Sequence, residues 1–348
     1  MCNRFTTPGR GLAVVVWACL GLSVPSARAE GQFATTEDGL KIYYETVGTG
    51  IPIVMIAGGP GADSSHFRYT HTLLRPCGRL VFLDNRGRGR SDDVPSSANS
   101  RPAYSLDNDL KDVEAVRKAI GAEKIVVYGH SYGSMVAMAY AARYPQYTLA
   151  LVTSVGVHGA RVWQERNIDG VKRFLQNHFP RRWARIVELH DAGRLTGEGE
   201  LAQLFQGIVE LYAYHPESEH RLHQQFDEYN DPKAVRFNPE VYQMMLGNDP
   251  EWTLGGTLKG VELLPELSNY RGPALIMGGR YDRICPPINQ MEIAGALENA
   301  RLVMFERSGH APFTEEPLRF LSVVSDFLRE VAKLQTSDDA RSIPSPDN

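Results

Sequence analysis

The chain has 348 residues, of which 43% are hydrophobic and 22% charged, a balance typical of ordinary globular proteins. This length suffices for one large α/β domain, alone or with an inserted subdomain. The net charge of −4 gives no electrostatic reason to expect a nucleic-acid partner.

The start of the chain has the composition of a targeting segment. A short basic start is followed by a mostly apolar stretch over residues 11–24 and then by the small residues Ala27 and Ala29. This order predicts a secretory signal peptide over residues 1–29 that is cleaved after Ala29. We therefore expect a periplasmic or secreted protein without stable membrane association. An uncleaved anchor and lipidation at Cys19 are the alternatives.

Export would place the mature chain in an oxidising compartment, where cysteines can pair. Only Cys77 and Cys285 remain after cleavage at the predicted position. One precedes a predicted strand and the other follows one, so a parallel sheet would hold them at opposite ends, too far apart for a disulfide. We expect two free thiols.

Short apolar and β-branched segments alternate with helical patterns, which is typical of a parallel sheet with crossover helices. Buried strands are predicted at residues 51–57, 80–83, 124–128, 149–154, 274–277 and 301–305. An earlier segment, 41–47, alternates in polarity and is predicted as an antiparallel edge strand. Helical periodicity predicts helices at 106–120, 131–144 and 317–334.

The strand pattern stops between two of these strands. Residues 155–264 carry aromatic and amphipathic helical patterns, which predict a helical cap. Such a cap would cover the carboxyl edge of the sheet, where ligands bind in open α/β sheets. The core would then comprise residues 30–154 and 265–334. Residues 335–348 are polar, with proline and serine near the end, and are predicted to be a disordered tail.

The segment Gly129-His130-Ser131-Tyr132-Gly133 fits the pattern G-x-S-x-G. It stands directly after a predicted strand and before a predicted helix, the context that a nucleophile elbow requires. Glycines suit the motif because the backbone is crowded where a strand turns at once into a helix. This context favours Ser131 as a nucleophile over a chance match in a turn.

A serine hydroxyl is a poor nucleophile without a base. His310 follows the last predicted strand on a loop marked by glycine, and Asp282 follows the strand at 274–277. In folds with a nucleophile elbow, the catalytic residues follow one another along the chain in the order Ser, Asp, His. We predict His310 as general base and Asp282 as the acid that orients it. A loop histidine and a turn-capping aspartate are the alternatives.

Two backbone amides are expected to stabilise an oxyanion. The Gly-rich loop that follows the strand at 51–57 allows the N–H of Gly59 to face the site, and the N–H of Tyr132 follows the nucleophile. The start of the helix behind Ser131 adds partial positive charge at the same place.

Several motifs together resemble those of the proline iminopeptidase branch of the α/β-hydrolases. They are GGPG at 58–61, DNRGRGRS at 84–91, GHSYGS at 129–134, GGRYDRICP at 278–286 and SGHAPF at 308–313. The resemblance covers most of the chain after the predicted signal, with a weakly matching cap. It implies an α/β-hydrolase fold with a mostly parallel eight-stranded sheet, helices on both faces and an inserted helical cap, and no metal or organic cofactor.

The resemblance extends to the end of the cap, at 248–259. There a glutamate of the family binds the free amino group of the substrate, and Glu251 matches it; a solvated cap residue is the alternative. An exopeptidase must pair the substrate's ammonium with carboxylate in a closed pocket. The candidates for a second carboxylate are Glu210, Glu217 and Glu219. Ala57 departs from the family, which usually has histidine before GGPG, and this bears on loop rigidity more than on activity.

Other patterns are weaker. Arginine alternates with glycine over residues 86–90, but this segment lies on a loop after a strand and lacks the third glycine of a dinucleotide fingerprint. A possible metal cluster misses the H-x-x-E-H spacing by one residue and is interrupted by proline; it comprises His215, Glu219, His220 and His223. We expect neither nucleic acid nor metal. Cys285, three residues after Asp282, is expected to make activity sensitive to thiol reagents by crowding.

The sequence thus predicts a serine hydrolase that acts through an acyl-serine intermediate. Its favoured substrates are short peptides or amino-acid amides with a free N-terminus, N-terminal proline among them. An esterase or lactonase with the same triad remains an alternative, and a non-catalytic binding protein on a hydrolase scaffold is the alternative of another class. No oligomeric state follows from these residues.

Overall fold

The computed structural model describes residues 31–95, 103–197, 199–205, 209–215 and 237–342. The predicted signal peptide lies outside the described residues. The same holds for four residues of the weaker predictions, Glu217, Glu219, His220 and His223.

Eight strands form one sheet in the order β1-β2-β4-β3-β5-β6-β7-β8. They are β1 (Gln32–Thr35), β2 (Lys41–Val47), β3 (Pro52–Ile56), β4 (Arg79–Leu83), β5 (Ile125–His130), β6 (Thr148–Ser154), β7 (Ala274–Gly279) and β8 (Ala300–Phe305). The pairs β1–β2 and β2–β4 are antiparallel, and all the other neighbours are parallel. The predicted fold, a mostly parallel eight-stranded sheet, is confirmed.

The predicted position of one strand is wrong. The segment 41–47 is antiparallel, but it is not at the edge, because β1 pairs along its outer side with Gln32 opposite Tyr44 and Thr35 opposite Lys41. Strand β1 has only four residues, and its sequence QFAT is too short to show a period of two.

Helices connect the strands. They are α1 (Ser65–His71), α2 (Leu106–Ala119), α3 (Tyr132–Arg143), α4 (Ala160–Val162), α5 (Asp169–His178), α6 (Pro180–Asp191), α7 (Gly199–Phe205), α8 (Val209–Tyr212), α9 (Pro239–Leu246), α10 (Leu264–Leu267), α11 (Pro287–Gly295), α12 (Pro312–Glu315) and α13 (Pro317–Ser342). Short 3₁₀ turns occur at Thr72–Cys77, Pro145–Tyr147 and Gly256–Leu258, and Trp163–Ile168 is a π-helical turn.

Helix α2 shows how local sequence sets these bounds. Its N-cap is Ser105, whose Oγ accepts a hydrogen bond from the N–H of Asn108 at 3.3 Å. The helix stops before Gly121, whose φ of +68° is the left-handed conformation that commonly ends helices.

The last helix is longer than predicted. Helix α13 continues through residues 335–342, so the prediction of a disordered tail is wrong for that part, and residues 343–348 lie outside the described residues. The stretch 335–342 is polar, but it contains no glycine or proline that would end a helix.

The sheet is covered on both faces because its central strands are apolar on both sides. In β3, Val54 and Ile56 join one buried cluster together with residues of α2 and α3. The alternate residues Ile53 and Met55 join a second cluster with residues of α1 and α13. This alternation follows from the two-residue period of a strand, and continuous hydrophobicity is typical of parallel sheets that are buried on both faces.

Between β6 and β7 the described residues form helices, turns and a single isolated bridge between Gly159 and Glu262. These helices have a small apolar core of their own, comprising Val171, Leu175, Ile186, Leu201, Phe205 and Leu211. Cys77 and Cys285 are both free thiols. Among the helices that the structure describes, none combines the length and the apolarity needed to cross a membrane.

A buried ion pair ties the loop after β4 to helix α2. The guanidinium of Arg86 contacts the carboxylate of Asp112 through Nε at 2.9 Å and Nη2 at 2.7 Å, and both side chains are almost fully buried. The Nη1 of Arg86 also reaches Asp38 at 2.7 Å. The pair thereby holds the ends of two loops against one helix.

We predict that Arg86→Met destabilises the fold by about 3–5 kcal/mol, because it leaves the Asp112 carboxylate buried without its cation. Urea denaturation measures the free energy of unfolding. The control is Arg271→Met, which removes an exposed ion pair with Glu298 and should cost less than about 1 kcal/mol. Equal effects of the two substitutions would contradict this role of the buried pair.

Candidate active site

Ser131 lies at the point where β5 ends and α3 begins. Its backbone has φ of 53° and ψ of −121°, an uncommon and strained conformation for a residue other than glycine. The N–H of Ser131 donates to the carbonyl of Ser154 on β6 at 2.9 Å, and its carbonyl accepts from the N–H of Ser134 at 2.9 Å. The strained turn is therefore fixed by the neighbouring strand and by the first turn of α3.

The two glycines of the motif are required by close approach of the backbone. A Cβ atom on Gly129 would lie 2.0 Å from the carbonyl oxygen of Gly133. One on Gly133 would lie 2.2 Å from the carbonyl oxygen of Ile56 on β3. The predicted crowding at this turn is confirmed.

Asp282 and His310 are brought together by the loops that follow β7 and β8. The Oδ2 of Asp282 is 2.8 Å from the Nδ1 of His310, and both residues are buried. The Oδ1 of Asp282 accepts hydrogen bonds from the N–H groups of Ile284 and Cys285, each at 2.8 Å. With Nδ1–H donating to Asp282, the Nε2 of the neutral imidazole is left as the acceptor.

The loop that carries His310 is held from several sides. The N–H of His310 donates to the carbonyl of Tyr212 in the cap at 2.5 Å, and the carbonyl of His310 accepts from the Nε2 of His130 at 2.9 Å. The ring of Tyr212 stands edge-on to the imidazole, with centroids 5.8 Å apart. The preceding N–H, that of Gly309, donates to Glu315 at 2.5 Å. These contacts fix the orientation of the ring.

Cys285 links this pair to Ser131. The thiol of Cys285 interacts with the hydroxyl of Ser131, and it lies within 4.8 Å of potential ligand atoms of Asp282 and His310. Burial, together with the charge of Asp282, raises the pKa of the Cys285 thiol well above its ordinary value. The thiol is thus a neutral neighbour of the hydroxyl. It is a poor nucleophile in this state, because only a thiolate attacks effectively.

Asp282, Cys285 and His310 are also the one group of possible metal ligands found within the described residues. Both carboxylate oxygens of Asp282 are already used, one by the imidazole and one by two backbone amides. This donor set suits an oriented imidazole better than a metal ion. Of the weaker metal prediction, His215 is an exposed residue and the rest lies outside the described residues.

The loop after β3 lies beside Ser131. A Cβ atom on Gly58 would be 2.8 Å from the Cβ of Ser131. The next residue, Gly59, has φ of +71°, and its carbonyl accepts from the N–H of Ala62 at 3.0 Å. Tyr132 is the first residue of α3, where a backbone N–H has no partner within the helix. The loop that carries Gly59 thus contacts Ser131 at Gly58, and Tyr132 follows Ser131 in the chain.

Two buried carboxylates hold the next part of this loop. The Oδ1 of Asp84 accepts from the N–H and the Oγ of Ser64, at 2.9 and 2.6 Å. The Oδ1 of Asp63 accepts from the N–H and the Oγ of Ser65, at 3.1 and 2.6 Å. Burial and the nearby charge of Asp84 raise the pKa of Asp63 to about 6.

Glu251 lies in the cap, partly buried. Its Oε1 accepts a hydrogen bond from the hydroxyl of Tyr242 at 2.9 Å, and its N–H donates to the Oγ1 of Thr196 at 3.0 Å. Burial raises the pKa of this carboxyl, and the charge of Asp249 adds to the effect. Within the described residues Glu251 forms no ion pair, so a cationic ligand would be the natural partner of its charge.

The residue next to Glu251 anchors it in the cap. The indole of Trp252 stacks with the rings of His190 and Trp183, with centroids 3.8 and 5.7 Å away and nearly parallel planes. The Nζ of Lys172 lies 4.8 Å from the indole and donates to the carbonyl of Trp252 at 3.0 Å. Glu251 is therefore held on a rigid part of the cap.

One tyrosine contacts Glu251 and a second contacts the imidazole of His310. Tyr242 bonds Glu251 and lies close enough to Tyr212 for the two hydroxyls to interact electrostatically. Tyr212 in turn packs against the ring of His310. Glu251 and His310 are thus each contacted by one of two tyrosines that lie near each other.

Of the candidates for a second carboxylate, Glu217 and Glu219 lie outside the described residues. Glu210 is exposed, and its backbone carbonyl accepts from Arg283 at 2.5 Å. Sequence reasoning missed Tyr212, Tyr242 and Glu315. The helical patterns that contain the tyrosines are visible in the sequence, but nothing in those patterns indicates which aromatic residue faces the site.

The sequence profile of the alpha/beta hydrolase fold family matches residues 51–317. The chain therefore belongs to the alpha/beta hydrolase fold family, and it is a hydrolase enzyme. It is similar to the proline iminopeptidase of Saccharolobus solfataricus, at 28% identity over 304 residues that cover 85% of this chain and 91% of the relative. The predicted resemblance to proline iminopeptidases is confirmed.

Solved structures share the fold. The proline iminopeptidase of Mycobacterium smegmatis gives a TM-score of 0.68 at 19% identity, covering 88% of this chain and 100% of that chain. An esterase from Exiguobacterium antarcticum gives 0.62 at 22% identity, covering 86% of this chain and 100% of that chain. At these identities the likeness concerns the architecture alone.

We predict that Asp63→Asn stabilises the protein at pH 7–8 by up to about 3 kcal/mol, but not at pH 4. Because the pKa of Asp63 is raised to about 6, the folded state retains a proton that the unfolded state releases from about pH 4 upward, so stability falls between about pH 4 and 6. Asparagine keeps the accepting Oδ1 without the charge.

Thermal unfolding across this pH range measures the effect. The exposed Asp326→Asn controls for the loss of one negative charge. If Asp63→Asn shifts Tm by the same amount at every pH, burial of a charged carboxylate is not the cause.

Proposed function

We propose that the protein is a serine aminopeptidase that cleaves short peptides or amino-acid amides with a free N-terminus. The observation that carries this proposal is the position of Glu251. It is a partly buried carboxylate without a cation partner in the described chain. Tyr242, which bonds it, lies near Tyr212, and Tyr212 packs against the ring of His310. The similarity to proline iminopeptidases supports the same substrate class.

In the proposed reaction, the hydroxyl of Ser131 attacks the carbonyl carbon of the substrate's first residue. His310 takes the hydroxyl proton at Nε2, and the buried Asp282 stabilises the imidazolium through Nδ1–H. The N–H groups of Gly59 and Tyr132 hold the oxyanion of the tetrahedral intermediate.

Collapse of this intermediate breaks the carbon–nitrogen bond, and His310 returns the proton to the leaving amine. The aminoacyl group is then an ester of Ser131. A water molecule, deprotonated by His310, attacks this ester through a second tetrahedral intermediate. The free amino acid leaves, and the hydroxyl of Ser131 recovers its proton.

Glu251 would select the free N-terminus. A carboxylate whose pKa is raised by burial is stabilised in its charged form when an ammonium group enters the pocket. The hydroxyl of Tyr242 orients one carboxylate oxygen and leaves the other for the substrate. An acyl ester without an amino group would gain nothing from this interaction.

The machinery around Ser131 serves an esterase or lactonase equally well, and an esterase shares the fold. Comparing proline and alanine arylamides with acyl nitrophenyl esters separates these activities. The aminopeptidase proposal expects the higher kcat/KM on the arylamides.

We predict that Glu251→Gln raises KM for an aminoacyl arylamide by about 30-fold or more, because the ammonium loses a charge-assisted partner in a partly buried site. KM for an acyl ester without an amino group should stay within about twofold. In the wild type, KM for the arylamide should rise as pH falls, because Glu251 becomes protonated. Since burial raises the pKa of Glu251, this rise should begin at a higher pH than it would for an ordinary glutamate.

The control is Glu188→Gln, an exposed glutamate on the cap helix α6, which should leave both substrates unaffected. If Glu251→Gln leaves arylamide turnover unchanged, the proposed role of this carboxylate fails. Faster turnover of esters than of arylamides by the wild type would favour the esterase alternative.

We further propose that the chain is exported and that residues 1–29 are removed. The support is the order of basic, apolar and small residues at the start of the sequence. N-terminal sequencing of protein from the periplasm or the medium should begin at Glu30. An intact N-terminus on an intracellular protein would contradict export.

A further inference from the structure

Behind the proposed oxyanion hole lies a second buried ion pair. The guanidinium of Arg88 grips the carboxylate of Asp109 with two parallel contacts, from Nη1 to Oδ1 at 2.5 Å and from Nη2 to Oδ2 at 3.1 Å. Arg88 is 2% exposed and Asp109 is fully buried. Such a forked pair fixes both position and angle, which a single contact does not.

The contacts of this pair lead to both sides of Ser131. On one side, the Oδ2 of Asp109 accepts a hydrogen bond from the hydroxyl of Tyr132 at 2.6 Å. On the other side, the Nε of Arg88 donates to the carbonyl of Pro60, the residue after Gly59. One guanidinium is thus connected to the two chain segments that carry the proposed oxyanion donors.

The proposed oxyanion hole requires that these two segments be held at a fixed distance from each other. The N–H of Gly59 belongs to a glycine-rich loop after β3, whereas the N–H of Tyr132 belongs to the start of α3. Both amides must point at the same oxygen atom within a few tenths of an ångström for effective stabilisation. A loop with glycine at positions 58, 59 and 61 has little intrinsic stiffness, so its geometry depends on contacts from outside.

The cap is attached to the same place. The Nη2 of Arg88 lies 3.1 Å from the Sδ of Met245 on helix α9. Asn238, the N-cap of α9, donates its N–H to the carbonyl of Gly61 at 2.8 Å and its Nδ2–H to the carbonyl of Gly87 at 2.7 Å. Helix α9 also carries Tyr242, which bonds Glu251.

We propose that Arg88, Asp109 and the phenol of Tyr132 form a positioning network that sets the spacing of the two oxyanion donors. This inference rests on the proposed acyl-transfer function. Burying an ion pair costs desolvation that well-packed apolar side chains avoid, so stability alone does not account for the pair. The neighbouring pair of Arg86 with Asp112 has its outer contact at Asp38, in the turn before β2.

The decisive variant is Tyr132→Phe, which removes the hydroxyl and keeps both the ring and the backbone N–H. Helix α3 offers a matched control in Tyr140→Phe. The hydroxyl of Tyr140 also donates to a carboxylate, the Oε2 of Glu114 at 2.8 Å, and its side chain is fully buried. Tyr140 lies about two and a half helical turns away from Ser131, so both variants lose the same kind of bond in different places.

The expected result for Tyr132→Phe is a kcat lowered about tenfold with KM changed less than twofold, because the donors are misplaced for the transition state but not for the bound substrate. The inhibition constant of an aminoacyl aldehyde, which forms a tetrahedral adduct with serine, should rise in parallel. Tyr140→Phe should leave all three quantities within twofold of wild type.

Substitution of Arg88 tests whether the loss of kcat arises from one shared network. Arg88→Met should lower kcat by more than Tyr132→Phe does, and the double variant should be no slower than Arg88→Met alone, since both substitutions act through one network. Thermal unfolding shows whether Arg88→Met is folded. If it is not, the comparison of Tyr132→Phe with Tyr140→Phe decides.

The proposal is overturned if folded Tyr132→Phe keeps the kcat of Tyr140→Phe, or if its loss lies in KM with unchanged aldehyde inhibition. If the wild type cleaves esters and not arylamides, the proposed substrate is wrong. The positioning network is then tested by measuring kcat of the same variants on esters. If it cleaves neither, the rate of Ser131 labelling by a fluorophosphonate replaces kcat. Absence of labelling in the wild type would contradict both proposals.

Discussion

The backbone of α3 lies against the backbone of β3, with Gly133 so close to the carbonyl of Ile56 that no side chain fits between them. Two residues before this contact, Ser131 makes the tight turn from β5 into α3 with a positive φ of 53°. The turn raises the serine above the carboxyl edge of the sheet. At this turn the loop at Gly58 lies close to the Cβ of Ser131, directly before the start of α3.

Charged residues inside the protein hold the loops that meet at this turn. Asp282 fixes the imidazole of His310, Asp84 fixes the loop after Gly59, and Arg88 links that loop to α3 through Asp109. Each of these charges is desolvated, and each is satisfied by several hydrogen bonds, as buried ions must be. Their common effect is to place backbone groups that loops alone would leave mobile.

Much of this arrangement could be predicted from the sequence, because glycines and apolar runs mark where parallel strands end. Ser131, Asp282 and His310 each follow such a run, and parallel strands bring their ends to one edge. The burial of Arg88 could not be predicted, since an arginine between glycines looks like a solvated loop. The contact between Tyr242 and Glu251 depends on how the cap helices pack, which local periodicity does not determine.

We propose that Ser131 carries the aminoacyl group during turnover. The most direct measurement is the mass of the intact protein after acid quenching during hydrolysis of an aminoacyl nitrophenyl ester, whose good leaving group favours accumulation of the intermediate. We predict a mass increase of one aminoacyl group, mapped by peptide fragmentation to Ser131 and absent from Ser131→Ala. Undiminished turnover by Ser131→Ala, with no adduct on the wild type, would contradict the claim.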